Sequence, residues 1–493
     1  MRHIALLVLA VVLGGAAPPL QAVPTDATVP GYHGDEARGG NYVTPGLTWE
    51  AVLSVRQDAG FDGRVEGHVY AQPLYWRPRG AAHGLVIVAT ESDVVDALDA
   101  VTGRLVWHTT LGRPVPRSAL PCGNIDPLGV TGTPVIDPSA GAIYLDAMTE
   151  QAGAAEHLVF GLRLGDGAVL PGWPINVRQA LRQHGIAFDP RVQNQRAALA
   201  LLAGRVFVAF GGNFGDCGNY HGIVLGVATD PPRPIAAWAT RGSKGGIWAP
   251  GGISVADGAL FFATGNTDNA EHWADGEGVF RLGPDLARSA DPRDFYAPAN
   301  WKSLDDDDLD MSGVSPLPID LPDGTHWLVA LGKDGNAYLL NREKLGGIGG
   351  QIAIIHAAGT PIITGPSVYR SGGRTLVTYQ ARRAVCPDGR TGAGIAAIAV
   401  TVTSLAPAWC APLDGRGAPI VTTMDGRSDP IVWVAGAEGD DRLHALRGDT
   451  GQLLYTSPEP LGGLRHFVTI LAAEGRLYVA GDGRVTAFTW PAR

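Results

Sequence analysis

A short module of strand, turn and strand recurs from one end of this chain to the other, and that recurrence leaves few folds open. Its clearest copy is residues 84–112, GLVIVATESDVVDALDAVTGRLVWHTTLG. An apolar β-branched run is followed by a polar turn and a second strand-like run. The turn Asp99-Ala100-Val101-Thr102-Gly103 and a third run holding Trp107 complete the copy. β-Branched side chains suit a pleated surface, while Asp, Thr and Gly supply tight reversals. With YAQPLY at 70–75 in front, the unit becomes a four-stranded meander, and residues 431–457 echo it closely. The 68 glycines and 36 prolines among 493 residues punctuate the chain too often for long helices, and no long run has a helical period. An all-β chain is the economical reading.

The copies fall at about 70–112, 131–178, 195–241, 248–301, 312–350, 364–413, 418–457 and from 464 onward. Eight units at roughly 40–50 residues each match the period of a propeller blade. One meander alone exposes both sheet faces; blade-on-blade packing buries them, and closing the ring removes open edges. The spacing predicts an eight-bladed β-propeller over residues 47–493. The last unit lacks an outer strand. Residues 47–55 (LTWEAVLSV) have no sequential partner, so they are expected to supply it by pairing near 485–490. Two stacked β-sandwiches would give a similar strand density without the repeated turn and outer Trp.

Ahead of the ring, residues 1–22 read as a secretory signal. Arg2 and His3 precede an apolar run, and Leu20-Gln21-Ala22 is a cleavage site. That run is too short to span a bilayer, and no later run is long enough. Residues 23–46 read as an extended arm rich in Gly and Pro. Export to the periplasm or medium suits four cysteines, which allow three connectivities. Blade positions favour Cys386–Cys410 within blade six and Cys122–Cys217 between neighbouring loops at one mouth of the ring. With a net charge of −10 and no basic stripe, nucleic acid and acidic lipid are excluded as partners.

In a propeller the inner strands line a channel, and loops at one mouth build the site. The polar loops here are PCGNIDPLG (121–129), GGNFGDCGNYHG (211–222), TGNTDN (264–269) and DDDDLDMS (305–312). Gly246-Ile247-Trp248-Ala249 with the later ALFFATGN, then Asp307-Asp308-Leu309-Asp310-Met311-Ser312-Gly313-Val314, then Gly332-Lys333-Asp334-Gly335-Asn336, stand in that order over successive blades. This order resembles the pyrroloquinoline quinone (PQQ)-dependent alcohol dehydrogenases, eight-bladed quinoproteins holding PQQ and usually Ca²⁺. The resemblance implies Trp248 as the platform under the quinone, Lys333 and Asp310 as further cofactor contacts, and Asp307 as catalytic base. Asn266, Asp307 and Asp216 would be the metal ligands. It implies oxidation of a small-molecule alcohol or sugar hydroxyl, with electrons leaving to a separate acceptor because no CxxCH haem site is present.

The departures are specific. One cysteine, Cys122, stands where the family has a vicinal pair, and the 211–222 loop offers Asp216 but no Glu. Asp306 and Leu309 replace the His and Trp flanking the family's acids. A cofactor-free propeller that binds a protein partner, or a calcium-assisted carbohydrate-binding module, would use the same loops. His68, His221 and His466 show no metal spacing, and no GxSxG, HExxH or Walker motif occurs.

Overall fold

In the computed structural model, which describes residues 23–24, 27–268 and 270–491, eight four-stranded antiparallel meanders form a ring. Blade 1 is Leu74–Trp76, Leu85–Ala89, Val94–Asp99 and Leu105–Thr110, running from the channel outward. The seven others repeat this plan, with inner strands Val135–Asp137, Ala200–Leu202, Ser254–Ala256, Leu317–Asp320, Ser367–Ser371, Ile420–Thr423 and Ile470–Ala473. The second strand of blade 1, LVIVA, is buried at every position, because each of its faces meets a neighbouring sheet. The hydrophobic core is accordingly a set of wedges between successive blades. One wedge joins blades 1 and 2 through Ile87, Val95, Leu145 and Leu162. Another joins blades 7, 8 and 1 through Trp433, Tyr478 and Val86.

The repeated turn and the outer Trp form a latch from one blade to the next. Asp99 Oδ1 accepts the N–H groups of Val101 (3.1 Å) and Thr102 (2.7 Å), which shapes the turn. Trp107 of blade 1 is buried and donates its indole N–H to Leu164 O of blade 2 at 2.9 Å. Trp409 of blade 6 donates in the same way to Gly448 O of blade 7 at 2.8 Å. At the closure of the ring Phe61 takes the tryptophan's place. It packs against Gly103 of blade 1, while Asp62 and Gly63 donate to Thr102 O and Gly103 O.

The ring closes as expected, but by a different stretch. Arg56–Gln57 is the fourth strand of blade 8, antiparallel to Arg484–Thr489, with Arg56 opposite Thr489. Residues 47–55, expected to be that strand, are instead turn followed by the 3₁₀ helix Ala51–Ser54. Thr48 Oγ1 accepts the Ala51 N–H and Ser54 Oγ donates to Ala51 O. Local hydroxyl bonds thus compete with the ladder while Leu47, Val52 and Val55 still reach the core. Two short α-helices, Val177–Gln183 and Trp301–Asp306, lie outside the meanders. The secretory signal expected at residues 1–22 lies outside the described residues.

The segment after it threads the channel. Pro30 O and Glu36 O accept the N–H groups of Ile136 and Val255, and Gly39 O and Gly40 O accept those of Val368 and Val421. Arg38 donates to Leu199 O and Ile253 O, and His33 meets Gln72 and Thr469. Asn41–Val43 then lies parallel to Ile420–Thr423 as an extra innermost strand. Backbone or side-chain bonds therefore tie this arm to blades 1, 2, 3, 4, 6, 7 and 8. Burial pushes the His33 imidazole down to about 3, so it sits in the channel neutral.

Candidate functional site

The loop ahead of each inner strand and the loop after each second strand open on the same mouth. Trp248 ends the loop leading into blade 4 and is half-buried. Its indole N–H donates to Asp310 Oδ2 at 3.2 Å, which fixes the ring's orientation. Asp310 leads into blade 5, is 5% exposed at its side chain, and holds three partners. Besides Trp248 these are the Asn266 backbone N–H (2.9 Å, to Oδ1) and Lys333 Nζ (2.5 Å). Lys333 stands in the tight turn after the second strand of blade 5. Its ammonium also reaches Asp308 Oδ1 at 2.9 Å and lies 5.4 Å from the centre of the Trp248 ring. A Cβ on Gly265 would stand 2.4 Å from Asp310 Oδ1, so the Thr-Gly-Asn turn needs glycine for the carboxylate to approach.

Burial pushes the Asp310 carboxyl up, against the pull of Lys333. Burial also works against the lysine's charge, but Asp310 and Asp308 outweigh it and hold the ammonium above its ordinary value. Below this pair Glu277 Oε2 accepts the Met311 N–H at 2.7 Å, and Oε1 has no partner. Burial, reinforced by Asp310, raises the Glu277 carboxyl well above its ordinary value.

Trp248, Asn266, Asp310 and Lys333 therefore converge. Asp307 bonds to none of these, whereas Asp216 joins the cluster's surroundings through Tyr220, on which Asp310 and Asp308 also act. Asp307 caps the C-terminus of the helix Trp301–Asp306, is exposed, and meets Ser303. Asp216 is exposed and accepts the Tyr220 hydroxyl at 2.5 Å. Tyr220 belongs with the platform: it packs where a Cβ on Gly246 or Gly212 would stand, and its hydroxyl is held protonated by burial and Asp216. Among the described residues no three His, Cys, Asp or Glu side chains form a metal-binding group. The arrangement thus fits the flat face and anionic edge of a quinone over Trp248 and Lys333. Lys333 is paired with Asp308 and Asp310, neither of them in the expected metal set Asn266, Asp307 and Asp216, of which Asn266 gives this cluster its backbone N–H.

Cys122–Cys217 ties the loop leading into blade 2 to a loop of blade 3 at this mouth, with Cα atoms 6.0 Å apart. Cys386–Cys410 closes within blade 6. Beside the platform, nearer the channel axis, Tyr32, Tyr70, Thr131, Thr133, Arg196 and Phe467 line a second space with Pro250. None of these carried a motif. Tyr32 comes from the arm and the others from five different loops, so only closure of the ring assembles them.

No family model matches the chain, and no curated protein matches it by sequence. Solved structures do. The quinohemoprotein alcohol dehydrogenase of Comamonas testosteroni superposes with a TM-score of 0.65 at 15% identity, covering 94% of this chain and 81% of that one. The chain has the fold of the quinoprotein dehydrogenases. A europium-containing methanol dehydrogenase matches with a TM-score of 0.64 at 15% identity, covering 93% and 90%. BamB of Moraxella catarrhalis matches more loosely, with a TM-score of 0.51 at 14% identity, covering 89% and 98%. At such identities the quinoprotein likeness is one of fold, and the chemistry of the mouth has to be argued from its own residues.

Proposed function

We propose that this mouth binds a PQQ-type quinone and that the chain oxidises the hydroxyl of a small alcohol or sugar, passing electrons to a separate acceptor. The observation that carries the reading is the joining of Trp248, Asp310 and Lys333 into one hydrogen-bonded unit at the mouth. The quinone, when bound, supplies a two-electron acceptor for the carbon bearing the hydroxyl. Trp248 offers the stacking face, worth roughly 0.5–1.5 kcal/mol beyond buried area. Lys333 offsets anionic charge, and Asp310 holds both side chains in place. Asp307, exposed at the helix end and met there by the Ser303 hydroxyl, is the group proposed to take the hydroxyl proton. The two disulfides support folding in an oxidising compartment, as the exported chain read from the sequence requires.

The test is titration of the intact chain with PQQ, first with chelator and then with calcium, following tryptophan fluorescence. Saturable binding at micromolar PQQ is expected without calcium. It should weaken about tenfold in Lys333→Ala and at least threefold in Trp248→Ala, as the loss of a charge-assisted contact and a stacking face implies. Calcium-dependent binding would restore the metal set Asn266, Asp307 and Asp216. No binding in either buffer would overturn the reading. It would leave a cofactor-free propeller that binds a protein or a carbohydrate, which the separation of Asp307 from the cluster favours.

A further inference from the structure

The mouth opposite the platform carries a hollow of its own. Loops ahead of the inner strands open on the platform mouth, so the far ends of those strands open on the other. There Val135, Ile136, Leu201 and Val255, from blades 2, 3 and 4, wall a space of about 430 Å³, and Pro30 and Gly31 of the arm close one side. That volume lies within the range of roughly 300–1,000 Å³ that small-molecule sites occupy, and the walls are mainly apolar. Three carboxylates reach the same space, those of Asp35 and Glu36 in the arm and of Asp137 at the end of the inner strand of blade 2.

No cation answers these acids. Among the described residues none of the three has an ion pair within 4.0 Å. Arg38 lines the hollow too, but its guanidinium donates to the backbone carbonyls of Leu199 (2.7 Å) and Ile253 (2.8 Å). Asp35 accepts the Gly39 N–H at 2.9 Å, and Asp137 Oδ1 accepts the Ser139 and Ala140 N–H groups. Burial pushes the Asp35 carboxyl up to about 6, against the pull of the Gly39 N–H and Arg38. A larger hollow at the platform mouth, about 640 Å³, differs in this respect: its Arg178 and Arg191 are paired with Glu156 and Asp189. An extended peptide added to the inner strands is not the occupant these walls suit. The Ile136 and Val255 N–H groups that such a strand would use already donate to Pro30 O and Glu36 O. Recognition is left to side chains, and apolar walls with an uncompensated negative rim suit a compact apolar body bearing a positive group.

We propose that the far mouth is a binding site for a small organic cation, an amine or guanidine on an apolar body, held among Asp35, Glu36 and Asp137. The site is separate from the platform and stands whether or not a quinone binds there.

Calorimetry on the intact chain tests this with phenethylamine as probe, hydrocinnamate as an anion of similar body, and methylamine as a cation without one. Phenethylamine should bind saturably and one to one. Methylamine should bind at least about tenfold more weakly and hydrocinnamate not at all, since apolar burial and charge act together. Glu36→Gln combined with Asp137→Asn should weaken the amine at least about fivefold, as the loss of two attractive charges at a partly wet rim implies. Glu36 is exposed, and asparagine still accepts in the Asp137 turn, so this variant should melt as the unaltered protein does. Leu201→Lys, at a half-buried wall position, should abolish binding by placing an ammonium in the hollow. The proposal fails if phenethylamine does not bind, or if methylamine or hydrocinnamate binds as tightly. It fails equally if the double variant binds the amine as the unaltered protein does, because the amine would then sit elsewhere.

Discussion

At the scale of single residues, the mouth concentrates acids whose charge the fold suppresses. Asp93, in the loop after the second strand of blade 1, is fully buried and neither of its carboxylate oxygens has a partner. Burial, then Glu91 and Asp146, push it up to about 9, and burial pushes Glu91 up to about 7. The folded chain therefore keeps a proton on Asp93 that the unfolded chain sheds near its ordinary value of 3.8. Because the folded state binds more protons, stability falls as pH rises from about 4 to about 9. Asp93→Asn should remove that loss. Its gain over the parent should be near zero at pH 4 and on the order of 1 kcal/mol or more at pH 8, checked by denaturant melts at both values. Asparagine also suits the left-handed backbone there, where φ is 56°. None of this was legible beforehand, since Asp93 reads in sequence as an ordinary turn aspartate. Trp248, Asn266, Asp310 and Lys333 were singled out by the order of their motifs over successive blades, since each motif alone is weak. Arg196 and Tyr70 lie in loops without such a motif.

At the scale of elements, the latch between blades is the unit of stability. Trp409 is 3% exposed and donates to Gly448 O and to the Tyr369 hydroxyl of its own blade. A Cβ on Gly451 would stand 2.5 Å from its ring, and φ there is +74°. Trp409→Ala should cost about 3–5 kcal/mol, as buried aromatic truncations do, read as a lower denaturation midpoint. Gly451→Ala should also destabilise, through both the contact and the left-handed backbone. Combining the two should cost less than their sum, because removing the ring removes the clash. The strand missed at 47–55 belongs to this scale as well. Leu47, Val52 and Val55 signalled burial correctly while Leu53 is exposed, Thr48 and Ser54 turn the backbone into a 3₁₀ helix, and the next two residues make the ladder.

At the scale of the whole molecule, the chain before blade 1 does two separable jobs. Residues 29–43 cross the channel, and Arg56–Gln57 closes the ring. A chain starting at residue 46 should lose the Tyr32 wall of the axial pocket yet remain a closed monomer. A chain starting at residue 60 leaves Arg484–Thr489 as a bare edge strand, open to pairing with other molecules. It should melt at least about 5 °C below the first truncation and aggregate in light scattering. The sequence by itself determined the blade count and the strand order within each blade. These depend on neighbours in the chain, on period-two burial and on turn chemistry, all of which are local. The tertiary structure alone decided which carboxylate Lys333 would take, where Asp307 and Asp216 would point, and that the arm would enter the channel. Those outcomes depend on distances between loops from different blades and on the burial of charges, and no order of residues along the chain encodes either until the ring has closed.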